Sequence, residues 1–218
     1  HYYSGNLWRL ALNYEDENRR TTFPLYAKAL TFATNDLKTF WAELQLILPK
    51  TPLSNFQLFL DNKDKTVTEL FSLFDTVALP PSQMNEFAQQ EATDDAEERS
   101  IYIGRLTEIY NNSLAKIASR SIYEENINRH FFHFNAPDEA QISNWERYAS
   151  FLEEEFKKAP SKENFDDIVL IYERALIPCA FIDTMWIQYA NFLEDCSNDS
   201  FTDIDEARKV YKRIPFNV

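Results

Sequence analysis

The stretch WIQYANFLED, Trp186–Asp195, repeats a pattern that the chain has already carried at Trp145–Glu154 as WERYASFLEE. Trp, Tyr, Ala, Phe, Leu and Glu return at the same offsets, 41 residues apart. Spaced i, i+3, i+4 and i+7, the Trp, Tyr, Ala and Leu positions fall on one face of a helix. Each copy is followed by a second helical stretch, FDDIVLIYERAL at 165–176 and DIDEARKVYKRI at 203–214, and each of these runs into a proline, Pro178 or Pro215. Tyr172 and Tyr211 lie 39 residues apart, as do Arg174 and Arg213. A period near 40 residues with one helical hairpin per period predicts an all-α fold, an α-solenoid of TPR-like hairpins.

The composition agrees. Two glycines in 218 residues leave little material for the tight turns of antiparallel sheets. No apolar run reaches the roughly 18 residues of a membrane span. Cys179 and Cys196 are the only cysteines and share no metal or redox spacing, which suits a reducing compartment. The net charge of −13 argues against a broad phosphate-binding surface and for protein partners. A chain that opens on His1 instead of Met is expected to be a processed product or part of a longer protein.

Residues 1–79 read as helical hairpins whose second half is degenerate. NLWRLALNYEDE places Trp8, Ala11, Leu12 and Glu15 on one spacing, and FPLYAKALTFA holds Pro24 in a first helical turn. LKTFWAELQLIL follows and stops at Pro49–Pro52. The segment 53–79 reads as shorter helices with a turn at DNKDK. Residues 80–100 read as an acidic linker that merges into a helix start, with Asp94 and Glu97 at capping-box spacing. A long helix is expected over 101–128, its stripe carried by Ile103, Leu106, Tyr110, Leu114, Ile117 and Ile122. Residues 129–218 hold the two repeats.

The pattern W-x-x-Y-x-x-F/L-E on one helix, then Y-E/K-R-A/I on the next and a proline, resembles the half-a-TPR (HAT) repeat. Trp145, Tyr148, Glu153, Tyr172, Arg174 and Pro178 fit one unit; Trp186, Tyr189, Glu194, Tyr211, Arg213 and Pro215 fit the next. Trp8 with Tyr26 fits a weaker first unit, and Trp41 opens a degenerate one. Within HAT proteins, NRHFFHFNAPDEAQISNWERY and IYERALIPCAFIDTMWIQYANFLED are similar to the family of pre-mRNA-processing factors 39 and 42. The elements that carry the likeness are R-x-x-F-H before A-Q-x-x-N-W, here Arg129, Phe132, His133, Gln141, Asn144 and Trp145, and E-R-x-L-I-x-C-A before W-I-x-Y-A. The resemblance implies a nuclear, non-catalytic scaffold in the U1 snRNP, acting on 5′ splice sites early in spliceosome assembly. It also implies other U1 snRNP proteins as partners and dimerisation, with itself or with a paralogous HAT protein. The family's dimer contacts lie largely in later repeats, which this chain is not expected to contain. HAT scaffolds of mRNA 3′-end cleavage or ribosomal RNA processing are the alternative within the class.

Several residues invite sharper readings. Trp145, Tyr148, Trp186 and Tyr189 could stack on RNA bases, but their apolar neighbours favour packing between helices. Glu153 with Arg174, and Glu194 with Arg213, are expected to pair between the two helices of each hairpin. His130 and His133 stand three apart but no further ligand completes a metal site, and the Phe131–Phe132 pair is expected to seat the connector. No cofactor is called for. Asp94-Asp95-x-x-Glu98, with Asn198, Thr202 and Glu206, follows the two metal motifs of class I isoprenoid synthases. Ser200 and the lack of a basic cluster oppose that reading, and Thr202 with Asp205 reads equally as a helix cap.

Overall fold

The computed structural model describes residues 4–17, 22–77, 95–199 and 201–214. All regular structure among them is helical, and the fold is an all-α fold of the α-solenoid class. The α-helices are α1 Gly5–Glu17, α2 Phe23–Ala29, α3 Leu37–Ile47, α4 Leu53–Asn62 and α5 Val67–Val77. They continue as α6 Asp95–Glu124, α7 Glu139–Lys158, α8 Lys162–Ala175, α9 Asp183–Asn198 and α10 Ile204–Arg213. Most of the acidic stretch expected as a linker at 80–100 lies outside the described residues, as does Pro215. None of the described helices is long and apolar enough to cross a membrane. The chain divides into two compact units, residues 1–119 and 120–218.

In the first unit, Pro24 occupies the first turn of α2, where a missing N–H costs nothing. Trp8 and Tyr26 both pack against the cluster of Leu12, Leu25, Ala29 and Phe40. A second cluster gathers Phe23, Phe56, Phe59, Leu70 and Phe74 with Leu106 of α6. Trp41 stacks on Tyr110, ring centroids 5.0 Å apart. Arg99 donates to the carbonyls of Leu48 and Thr51 at 2.9 and 2.7 Å, satisfying backbone acceptors where α3 gives way to Pro49.

The second unit is two antiparallel hairpins, α7–α8 and α9–α10, together with the last turn of α6. Each helix entry has a local cause. Asp138 caps α7 through the Gln141 N–H at 2.8 Å, so that helix starts at Glu139, ahead of the tryptophan face. Ser161 caps α8 through the Asn164 N–H. At α10 the cap is Asp203, accepting from the Asp205 N–H at 2.9 Å, and not Thr202 as the sequence suggested. One contiguous core holds Trp145, Tyr148, Leu152, Phe156, Phe165, Ile168, Tyr172, Trp186, Tyr189 and Leu193. Ile122 does not join the apolar stripe of α6. It is exposed, while its neighbour Tyr123 packs against the core.

Trp145 is 1% exposed, so truncating it to Ala leaves a cavity between α7 and its neighbours. Urea denaturation should find Trp145→Ala less stable by about 3–5 kcal/mol. An unmoved midpoint with weakened RNA binding would identify the ring as a base-stacking platform instead.

Candidate interaction surface

The repeat residues assemble into one motif that occurs twice in the second unit. At the end of α6, the Tyr123 ring stacks on Tyr148 of α7, centroids 4.9 Å apart and planes 7° apart. The next residue, Glu124, accepts from the Tyr148 hydroxyl at 3.0 Å and from both terminal nitrogens of Arg174 at 2.6 and 2.8 Å. The Arg174 guanidinium lies 5.4 Å from the Trp145 ring centroid. One hairpin later, Tyr172 of α8 stacks on Tyr189 of α9 at 4.9 Å and 17°. Glu173 accepts both terminal nitrogens of Arg213 at 2.6 and 2.7 Å and also bonds Tyr189. Arg213 in turn sits 5.3 Å from the Trp186 centroid. Each second helix therefore sends its Arg back to the preceding layer, and α8 also sends its Glu173 forward to the following one.

This arrangement corrects the expected pairing within hairpins. Arg174 bonds Glu124 of the preceding helix, not Glu153, and Arg213 bonds Glu173, not Glu194. Glu153 instead accepts the Tyr172 hydroxyl at 2.5 Å, an anchor between the two helices of its hairpin. The residue that plays this part for Tyr211 is Asn191, at 3.2 Å, and Glu194 stays exposed. Glu153 stands eight residues after Trp145 whereas Asn191 stands five after Trp186, so the two tyrosines meet the first helix of their hairpins at different registers.

The Gln and Asn of the family element act on the end of α6. Asn144 donates to the Tyr123 carbonyl at 2.9 Å. Gln141 donates to the Asn126 carbonyl at 2.5 Å and accepts from the Asn128 N–H at 3.1 Å. A helix end leaves carbonyls without partners, and two buried amides supply them here. Arg129 ties the connector to the turn after α8 by donating to the Pro178 carbonyl at 2.9 Å.

Of the expected Phe131–Phe132 pair only Phe132 helps to seat the connector, against Phe181. Phe131 is 62% exposed, Phe134 82% and Phe132 47%, and only Phe132 bridges, with its ring 5.4 Å from Phe134 and 5.7 Å from Phe181. Phe181, itself exposed, extends this patch. An apolar patch held by a rigid scaffold marks a protein contact surface. His133 is exposed beside it, its Nδ1 accepting from the Asn135 N–H, and no group of three or more metal-ligating side chains occurs among the described residues. Asn198 donates to the Glu194 carbonyl and Glu206 pairs with Lys209. Asp94 lies outside the described residues.

Electrostatics follow packing. The hydrogen bond from Arg213 holds the Glu173 carboxyl below the ordinary carboxylate range. Burial pushes the hydroxyls of Tyr148, Tyr172 and Tyr189 upward, with further help from their carboxylate partners. Burial also pushes the Cys179 and Cys196 thiols up to about 11.

Residues 118–216 match the family model described as the PRP39 C-terminal HAT repeat. The chain is 26% identical over 225 residues to human pre-mRNA-processing factor 39, covering 96% of this chain and 31% of that protein. It is 36% identical over 86 residues to the fission yeast (Schizosaccharomyces pombe) protein of that name, 39% of this chain and 13% of the relative. Against pre-mRNA-processing factor 39-2 of Arabidopsis thaliana the figures are 33% over 93 residues, 43% of this chain and 8% of the relative. Even the longest of these matches spans under a third of the relative's length.

Two predictions follow from the paired motif. Glu124 and Arg174 are 1% and 8% exposed, so Arg174→Met strands a buried carboxylate and should cost about 3–5 kcal/mol. Arg213→Met breaks a half-exposed pair and should cost about 1 kcal/mol or less. Urea midpoints of the two variants check the contrast. The raised Cys179 and Cys196 thiols stabilise the fold fully below the unfolded value of a thiol, about 8.5. That contribution is lost as pH rises through about 11, so the melting temperature should fall steadily over that window. The lowered Glu173 acts at the other end. Its contribution is present above about pH 4.3 and fades as pH falls through its folded value.

Proposed function

The chain belongs to the HAT-repeat family of pre-mRNA-processing factor 39, and from that premise we propose that it is a non-catalytic scaffold of the U1 snRNP in pre-mRNA splicing. It works in the nucleus, through contacts with other U1 snRNP proteins, at the stage when 5′ splice sites are recognised. The observation that carries the reading is the exposed cluster of Phe132, Phe134 and Phe181, which sits on the connector and turn between helices locked by the repeated Tyr–Glu–Arg motif. Aromatic side chains are enriched in protein interfaces and dominate their energetics. A net charge of −13 favours basic protein segments around that contact over a nucleic-acid backbone. Dimerisation, with itself or with a paralogous HAT protein, belongs to the same proposal.

Affinity purification with mass spectrometry tests it. The wild-type protein should recover U1 snRNP proteins, and Phe132→Ser with Phe134→Ser should lose them while melting at the wild-type temperature. Recovery of a 3′-end cleavage or ribosomal RNA processing complex instead would move the chain to another HAT scaffold class.

A further inference from the structure

A cavity of about 310 Å³ opens where the end of α6 and the connector after it meet the start of α7. Two buried amides that finish α6 also line this cavity. Gln141 uses both ends of its amide on the backbone of Asn126 and Asn128. Asn144 is 3% exposed; it gives its Nδ2 to the Tyr123 carbonyl, and its Oδ1 takes no hydrogen bond. Unlike Trp145 Nε1, which is sealed in the core without a partner, that oxygen reaches open space, and the space that Asn144 lines is this cavity. Two carboxylates, Glu125 and Asp138, line it as well. Among the described residues neither has an ion-pair partner, and Asp138 commits only Oδ1, to the Gln141 N–H. Arg147 is the one cation of the lining, with its Nε turned to the Ser143 carbonyl at 3.3 Å.

We infer that this cavity receives the side chain of an arginine carried by a protein partner. Two carboxylates and a free amide oxygen against one guanidinium leave the lining rich in acceptors and negative in charge. The volume lies far above the roughly 30 Å³ share of one water, so the guest is a group of side-chain size. The acceptors come from separate elements: Glu125 after the end of α6, Asp138 at the cap of α7, and Asn144 within α7. A planar guanidinium with five donors can meet several of them at once, whereas an ammonium is a compact point charge with three. Ala140 offers an apolar wall to the stem of the guest. An anionic guest would face both carboxylates, and the start of α7 that could attract it is already taken by Asp138. The net charge of −13 draws basic segments from longer range in the same direction. The inference deepens the scaffold reading, and rests on it only in assigning the arginine to a protein.

The test titrates the full chain with the capped peptide acetyl-Gly-Ser-Arg-Ser-Gly-amide and follows the amide NMR signals. The side-chain amides of Asn144 and Gln141 should shift. The same peptide with lysine should bind more weakly, and with citrulline, which keeps the shape but loses the charge, it should leave those signals in place. Glu125→Gln and Asp138→Asn should each weaken the arginine peptide roughly twofold to fivefold. The melting temperature should hold in both variants, because Glu125 is exposed and Asn caps a helix as Asp does. Arg147→Gln should strengthen binding, since it removes the one like charge. Equal binding of the citrulline and arginine peptides, or weaker binding after Arg147→Gln, overturns the recognition of a cation. Shifts that spare Asn144 and Gln141 overturn the site. A failed titration leaves the recovery of U1 snRNP proteins untouched, and a failed recovery leaves the titration untouched, so the two readings fail separately.

Discussion

The bidentate bond from Arg174 to Glu124 is the interaction on which the second unit depends. It takes two full charges almost out of water, which is unfavourable unless every lone pair and proton finds a partner. Beyond the bidentate bond, Glu124 also accepts the Tyr148 hydroxyl, and Arg174 lies against the Trp145 ring. The positions of Trp145, Tyr148 and Arg174 are thus fixed by one carboxylate on another helix. A buried pair of this kind specifies which helix meets which, because any other register leaves a charge unpaired.

The same geometry gives the array its direction. The adjacent residues Glu173 and Arg174 point to different layers, Glu173 to Arg213 and Arg174 to Glu124. Stacked tyrosines accompany each ion pair, so every layer is joined to the next by an apolar and a charged contact. The two pairs differ in burial. The Glu173–Arg213 pair is half exposed and its energy is reduced by solvent screening, whereas Glu124–Arg174 is little screened but bears the cost of desolvation. A frame held this way can leave aromatic side chains such as Phe131 and Phe134 exposed on a connector without losing its own packing.

Much of this was legible in the sequence. The 41-residue return of Trp, Tyr, Phe and Leu disclosed the helices, their buried faces and the hairpin period, because apolar periodicity is what packing requires. The partners of the charged residues were not legible. Glu153 and Arg174 recur at matched positions, as a pair within one hairpin would, but recurrence cannot distinguish a bond inside a layer from a bond between layers. Glu124 escaped notice because it stands at the end of a long helix without the tryptophan that announces a repeat. The tripeptide Tyr123-Glu124-Glu125, set against Tyr172-Glu173-Arg174, was the available signal. Gln141 and Asn144 were recognised only as marks of the family, and their work in capping α6 needed the backbone in view. Phe131 departs from the expectation because phenylalanine is usually buried, and here connector geometry holds it in solvent.

A solenoid is stable when the contacts between neighbouring layers outweigh what each hairpin can supply alone. The central claim is that the Tyr–Glu–Arg motif couples the layers of the second unit into one cooperative block. Native-state hydrogen exchange measures this most directly, by resolving the opening free energies of backbone amides in α7, α8, α9 and α10. The coupled account predicts one common opening free energy across the cores of these four helices. Separate values for α7–α8 and α9–α10, with the second hairpin opening independently of the first, would contradict it.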